Sequence, residues 1–354
     1  MTDEPLQAAL LSQTAFAVSP IHPNDYRTYH SYFAQDARPI VYGNTWTYIT
    51  QACRAFGLGI KWQQPDRLVS VGAHRGHYVV VRPLGALDAT FIAFVQQLRA
   101  LSGKPVFLKK LFPDQTEFLA QHSGFEPVMT IQDGEPVAGR YVWDESAFAD
   151  DDTYPELIYD REVIANHGLS KAEWGKLFNA RRPGLTLELQ DTYQERMRKF
   201  NRDHRRFVQN LRDLQIIRYN STHASDVRAF LAAYFSGRAE QIAAYDNIFT
   251  LPREAKREDY YNLLSYVGKT LVGVHIGERV GADAASFCVG VADRSIRGLG
   301  AFARLYIFDF LTPFNIQRIN VGGAESATLQ KFKQTPCPIE ERQMAMWVYG
   351  VDDV

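Results

Sequence analysis

Apolar positions along this chain switch repeatedly between a two-residue and a three-to-four-residue period. Gly59–Gln63, Leu68–Ala73 and His77–Arg82 alternate or run apolar between turn formers, which predicts a meander of short strands. Phe91, Phe94, Val95, Leu98 and Leu101 then recur at helical spacing within a helix expected over Leu87–Leu101. Val106–Lys109 reads as a strand, Asp114–His122 as a helix, and Gly124 with Phe125 opens another strand. Upstream, Asp25–Phe33 and Asn44–Phe56 read as helices that lay aromatic residues on the body.

The second half repeats this order without repeating its residues. Tyr154–Ile164 is expected to be a strand crossing between the halves, and Ser170 with Glu173 three on is a capping box for a helix over Ser170–Phe178. A basic helix over Thr192–Leu214 follows, then a strand (Gln215–Tyr219) and two helices (Asp226–Ala244 and Arg253–Leu264). Strands Leu271–Ile276 and Ala284–Ala292 lead to a helix (Ala301–Phe314), a strand (Arg318–Val321), a short helix (Glu325–Gln334) and a last strand (Met344–Tyr349). The turns at Asp133, Gly134 and Pro136 and the acidic run Asp144–Asp152 mark a boundary, which gives domains at 1–150 and 151–354. Strands and helices mixed in this order define an α/β (α+β) class, each half a mixed, largely antiparallel sheet flanked by helices.

Composition narrows the partners. With 39 basic against 40 acidic residues the net charge is -1, so any polyanion binding must be local. Between Arg196 and Arg212 there are seven bases (196, 198, 199, 202, 205, 206, 212) and one acid, Asp203, so 7 − 1 leaves +6 on one helix. Arg202, Arg205 and Arg206 are its candidate phosphate or tRNA contacts, against the plainer reading of a solvated face. Three widely spaced cysteines (Cys53, Cys288, Cys337) suit a reducing cytoplasm rather than a disulfide framework. The acidic start Thr2-Asp3-Glu4 is the wrong charge for a secretion leader, and no run approaches the 18 or so apolar residues that span a membrane. No histidine pair has metal-ligand spacing on a helix; His74 and His77 fall on a hairpin, so no metal is expected.

The stretch with the most chemistry is Phe287–Lys333. A strand runs into Asp293, Arg294, Arg297, Gly298 and Gly300, and then into a helix. Amides at a helix start lack intrahelical acceptors and the dipole adds positive potential there, so strand, cationic glycine turn and helix make an anion cradle. Arg297 suits phosphate through its planar fork. Gly322 and Gly323 end the next strand and permit close backbone approach to a ligand. Asp293 stands where it either takes a nucleophile's proton or caps the turn. Lys331 and Lys333, two apart on a helix, cannot share a face, so one faces the cleft and the other solvent.

This arrangement resembles the GNAT (Gcn5-related N-acetyltransferase) superfamily, whose donor-phosphate motif is Q/R-x-x-G-x-G/A. Gly298 and Gly300 match its glycines, whereas Ser295 stands in the leading place. The run Lys199, Asn201, Arg205 or Arg206, Phe207, with Asn320-Val321-Gly322-Gly323-Ala324-Glu325 and Leu329-Gln330-Lys331-Phe332-Lys333, looks like the cytosolic domain of the phosphatidylglycerol lysyltransferases and, more distantly, the FemABX aminoacyltransferases. The likeness covers residues 190–340. It implies two tandem GNAT-like domains, the second holding the donor site and the first, which has Pro83-Leu84-Gly85 in place of a glycine–arginine turn, shaping the acceptor side. It implies transfer of an aminoacyl group from an aminoacyl-tRNA to an amine or hydroxyl of a small-molecule, peptide or lipid-headgroup acceptor, with no tightly bound cofactor. It also implies a lysine of the 331–333 segment, Lys333 in preference, that is needed for transfer. Two rival readings remain: an acyl-CoA N-acyltransferase, and a GNAT-like binding module without catalysis.

Overall fold

The computed structural model describes residues 4–36, 38, 40–54, 59–74, 76–132, 135–138, 154–166, 168–210, 213–236, 259–324 and 327–351. Its strands are β1 (Val18–Pro20), β2 (Ile60–Gln64), β3 (Arg67–His74), β4 (His77–Leu84), β5 (Val106–Leu111), β6 (Phe125–Pro127), β7 (Met129–Gln132), β8 (Glu135–Ala138), β9 (Glu156–Asp160), β10 (Leu214–Arg218), β11 (Tyr260–Val267), β12 (Thr270–Arg279), β13 (Ala284–Ala292), β14 (Arg318–Asn320), β15 (Glu340–Arg342) and β16 (Ala345–Tyr349). The helices are α1 (Glu4–Gln13), α2 (Tyr26–Gln35), α3 (Trp46–Arg54), α4 (Ala89–Ser102), α5 (Pro113–Leu119), α6 (Arg161–Ala165), α7 (Lys171–Arg181), α8 (Leu187–Asn210), α9 (Ala224–Tyr234), α10 (Leu299–Leu311) and α11 (Ala327–Gln334).

Local chemistry explains several of these. Asp88 caps α4 by accepting from the Phe91 amide at 2.9 Å, and Gly103 ends it at φ +66, a left-handed conformation that costs glycine nothing. Between the caps, Phe91, Phe94, Val95 and Leu98 are fully buried against the first sheet. Each large side chain so enclosed contributes about 1.5–3 kcal/mol. The expected capping box on α7 is present: Ser170 Oγ accepts from the Glu173 amide and the Glu173 carboxylate accepts from the Ser170 amide at 3.2 Å.

The two halves form two seven-stranded sheets of matching pattern, ordered β1-β2-β3-β4-β5-β16-β6 and β10-β11-β12-β13-β14-β9-β15. In each, the first four strands are antiparallel, the fourth and fifth are parallel, and the rest are antiparallel. The parallel pairs are short. β4 and β5 match over Val79–Val81 and Phe107–Lys109, and β13 and β14 match over Ala284–Ser286 and Arg318–Asn320. Just past the first pair, Arg82 and Lys110 take positive φ (+43 and +60); in the second sheet β13 carries a bulge against β12 between Phe287 and Val289. Both sheets therefore part at corresponding points.

The halves exchange strands. β16, read as the last strand of the second half, lies between β5 and β6 of the first sheet, while β9, which follows the first half, lies between β14 and β15 of the second. The strand expected over Tyr154–Ile164 is real but ends at Asp160, where α6 begins. The helix expected over Arg253–Leu264 is corrected from Tyr260 on, because β11 starts there. Tyr260, Tyr261, Leu263 and Leu264 fit a helical period, but they are buried on both faces of a central strand and pair along β12. Helix α1 and strand β1 were not anticipated. Residues 251–258, the acidic run, Asp133 and Gly134, Leu211, Arg212, Glu325 and the end of the helix expected to reach Ala244 lie outside the described residues.

Candidate donor and transfer site

β13 ends where the Asp293 amide donates to Val272 O at 2.8 Å. Asp293 Oδ1 then accepts from the Ser295 amide (2.8 Å) and hydroxyl (2.7 Å), which closes the turn locally. Gly298 takes φ +90, and a β-carbon there would lie 2.6 Å from Asp203 O and 2.9 Å from Phe207 Cβ. The glycine is therefore what lets the turn sit directly on α8. Gly300 faces the Phe332 ring, whose edge would be 3.0 Å from an added β-carbon. The expected arginines are both engaged at the flanks. Arg294 donates to Tyr234 Oη (3.0 and 3.2 Å) and stacks on that ring, and Arg297, largely exposed, lies 3.6 Å from Asp203 Oδ1.

A cavity of about 400 Å³ opens at this turn, with Lys199, Asp203, Gly300, Arg304, Lys331 and Phe332 among its walls. Arg304 is buried under Phe332, 4.3 Å from the ring centroid, and donates to Phe332 O at 3.2 Å. Burial lowers its pKa from the usual arginine value.

The second glycine turn is held by Asn320. Its Oδ1 accepts from the Gly322 amide at 2.8 Å, and its Nδ2 donates to Glu156 Oε2 (2.7 Å) and Ile40 O (2.8 Å). Gly322 takes φ +66 with the Tyr42 ring 3.0 Å from where a β-carbon would be. The two lysines of α11 diverge as their spacing requires. Lys333 is half-buried and donates to Val321 O (3.0 Å) and Gly323 O, while Lys331 is exposed at the cavity rim.

On the other side of α8 lies a second cavity of about 400 Å³, between α7 and α8. Trp174 and Met197 floor it, and Lys171, Arg198, Arg202, Arg205 and Arg206 surround it. Lys171 pairs with Asp191 at 2.9 Å. No acid among the described residues stands within ion-pair distance of Arg198, Arg202, Arg205 or Arg206, all four exposed. Phe200 and Phe207 form the buried stripe of α8, whereas Val208 is about half exposed.

The seam between the halves holds residues that sequence reasoning missed. Lys110 and Glu156, 0% and 1% exposed, pair at 3.3 Å, one from each sheet. Lys110 also lies over the rings of Tyr42 and Tyr48, at 5.3 and 5.5 Å. Tyr42 donates its hydroxyl to Cys288 O at 3.1 Å, so it fills the gap left where β13 and β14 part. Buried Arg82 donates to Asn44 Oδ1, Pro83 O and Asp36 Oδ2. The available signal was Lys109-Lys110 inside an apolar strand. Tyr306, stacked on Phe302, is partly buried and packs against the core of the second half.

No helix among the described residues is long and apolar enough to cross a membrane, and none of their side chains cluster as a metal site.

No family model matches the chain, and no curated protein does. Solved structures do. A conserved protein of unknown function from Bacteroides thetaiotaomicron superposes with a TM-score of 0.65 at 12% identity, over 95% of this chain and 100% of that one. L-PGS from Bacillus licheniformis superposes at 0.54 and 9% identity (93% and 92%), and FemX at 0.53 and 10% identity (95% and 98%). The fold class is thus two mixed sheets flanked by helices, and the expected tandem GNAT-like arrangement is met at the level of fold.

Proposed function

We propose that the protein is a tandem-GNAT-type acyltransferase that moves an aminoacyl group from an aminoacyl-tRNA to an amine or hydroxyl acceptor. One observation carries the reading: α8 presents Arg198, Arg202, Arg205 and Arg206 to one cavity and Lys199 and Asp203 to the cavity at the glycine turn. A polyanion tracked along the first face would bring its end to the second. In the transfer the acceptor nitrogen or oxygen attacks the ester carbonyl. A new C–N or C–O bond forms, the bond to the terminal ribose oxygen breaks, and the proton shed by the nucleophile ends on that ribose oxygen.

Roles follow from placement. Lys331 at the rim offsets phosphate charge, as do Arg202, Arg205 and Arg206, and Arg297 extends that surface. Lys333, fixed by the Val321 and Gly323 carbonyls, shapes the Gly322–Gly323 backbone beside the reacting end. Asp293 spends one carboxylate oxygen on Ser295, and we assign the other to the nucleophile's proton. An acyl-CoA donor is disfavoured because Arg294 is held by Tyr234 and Phe332 lies on Gly300.

The test is a melting experiment with each donor. Charged tRNA at 100 times its Kd should stabilise the protein by about 2.7 kcal/mol, with CoA thioesters leaving it unmoved. Stabilisation by the thioester alone would overturn the donor, and intact cellular function in Asp293→Ala and Lys333→Ala proteins that fold normally would favour a binding module.

A further inference from the structure

Three strands of the second sheet bring unsatisfied polar groups together where that sheet meets α3. Tyr260, Glu278 and Ser286 stand in register across β11, β12 and β13, so their side chains share one face. Asn262, two residues from Tyr260, is on the same face. Glu278 shows where this face points: its Oε1 accepts from the Trp46 amide (2.8 Å) and Oε2 from the Thr47 amide (2.9 Å), both at the start of α3. Cys288, farther along β13, has its sulfur 3.9 Å from Thr45 Oγ1.

Tyr260, Asn262 and Ser286 are 4%, 5% and 0% exposed, yet the Tyr260 hydroxyl, both atoms of the Asn262 amide and Ser286 Oγ have no hydrogen-bond partner among the described residues. Buried polar groups are rarely left so, because their desolvation is uncompensated. Here four such atoms lie on the sheet face that carries one carboxylate, Tyr260 and Ser286 directly across from it and Asn262 one pair farther along. A protein selected only for stability would have apolar residues in these places, as it does at the neighbouring Leu264, Ile276 and Val289.

We propose that this junction is the acceptor site, built by both halves, and that it takes a compact primary amine carrying further hydroxyl or amide groups, of the amino-sugar or amino-acid class. The inference rests on the transferase reading above. The asparagine amide and the hydroxyls each donate or accept, which suits a ligand that presents both kinds of group. Glu278 supplies the negative charge for the ammonium end: Oε1 is shared by His30 Nε2 and the Trp46 amide, whereas Oε2 takes the Thr47 amide and keeps a lone pair. The placement is also right for transfer. β13 runs from Ser286, past the gap at Cys288, to the donor turn at Asp293, so acceptor and donor approach the gap from opposite ends of one strand.

The experiment needs no tRNA, so its failure leaves the donor reading standing and a failed donor leaves it standing in turn. Ethanolamine, glucosamine and alanine amide are titrated into the full-length protein by calorimetry and in melting experiments. At least one should bind, and at ten times its Kd should raise the apparent folding constant about 11-fold. Asn262→Leu should be as stable as the parent or more so when unliganded, and should lose the amine's effect; Ser286→Ala should weaken amine binding at least 10-fold. If Asn262→Leu does not fold, Ser286→Ala decides. No binding by any of the three amines, or unchanged binding in the variants, overturns the proposal.

Discussion

Lys110 and Glu156 face each other at 3.3 Å across the seam, one on each sheet, and neither is reached by solvent. Removing one member of such a pair strands the other charge, whereas removing both charges does not. Lys110→Met should therefore cost about 3–5 kcal/mol. Lys110→Met with Glu156→Gln should recover a good part, because glutamine still offers Asn320 and Tyr42 an acceptor. Urea unfolding of the parent, single and double variants measures this.

With tRNA as the proposed donor, the exposed arginines on α8 should set the salt dependence of its binding rather than the stability of the fold. Arg202→Ala, Arg205→Ala and Arg206→Ala together should lower the slope of log K against log salt for tRNA by about 2–3, at roughly 0.7–0.9 for each phosphate no longer neutralised. The melting temperature should stay put, since these side chains lie at the surface. Filter binding across a salt series reads the slope.

The two glycines of the donor turn should respond unequally to alanine. Gly298→Ala adds a β-carbon against the backbone of α8 in a left-handed conformation, and should destabilise by roughly 1–3 kcal/mol. Gly300→Ala meets only the edge of the Phe332 ring, which is half exposed and free to yield. Its cost should be smaller, and a denaturation series separates the two.

His275 should make the protein sensitive to mild acid. Burial pushes its pKa down to about 4, while Ser265 Oγ at 3.1 Å and the Phe287 ring stacked at 6.2 Å surround it. Unfolded, it titrates near its ordinary 6.5. Between these values the unfolded chain holds the extra proton, so this contribution is whole above pH 6.5 and is lost as pH falls towards 4, by roughly 3 kcal/mol. His275→Gln should flatten that part of the stability–pH curve.

The order of elements was legible in the sequence because periodicity and caps are local. Ser170 with Glu173, the stripe Phe91–Leu98 and the run from β13 through Gly298 to α10 all landed within a few residues of their predicted bounds. Pairing across long separations was not legible. Alternation in Ala345–Tyr349 says that a strand has two faces and nothing about which sheet receives it. The same blindness hid the Lys110–Glu156 pair: nothing local in their strands joins the two, and the packing of one half on the other encloses them. At the proposed donor site, the turn at Gly298 and the divergence of Lys331 from Lys333 follow from local sequence, whereas the engagement of Arg294 with Tyr234 depends on a helix sixty residues upstream.

The exchange of β9 and β16 also sets a schedule for synthesis. β16 sits between β5 and β6, so the first sheet stays unfinished on the ribosome until residues 345–349 have emerged. The second sheet, in contrast, has its borrowed strand β9 in hand before any other part of it is made. A nascent chain released early would carry an open slot edged by β5 and β6, two strands with unpaired amides and carbonyls, and such edges are where chains of this kind would pair with one another.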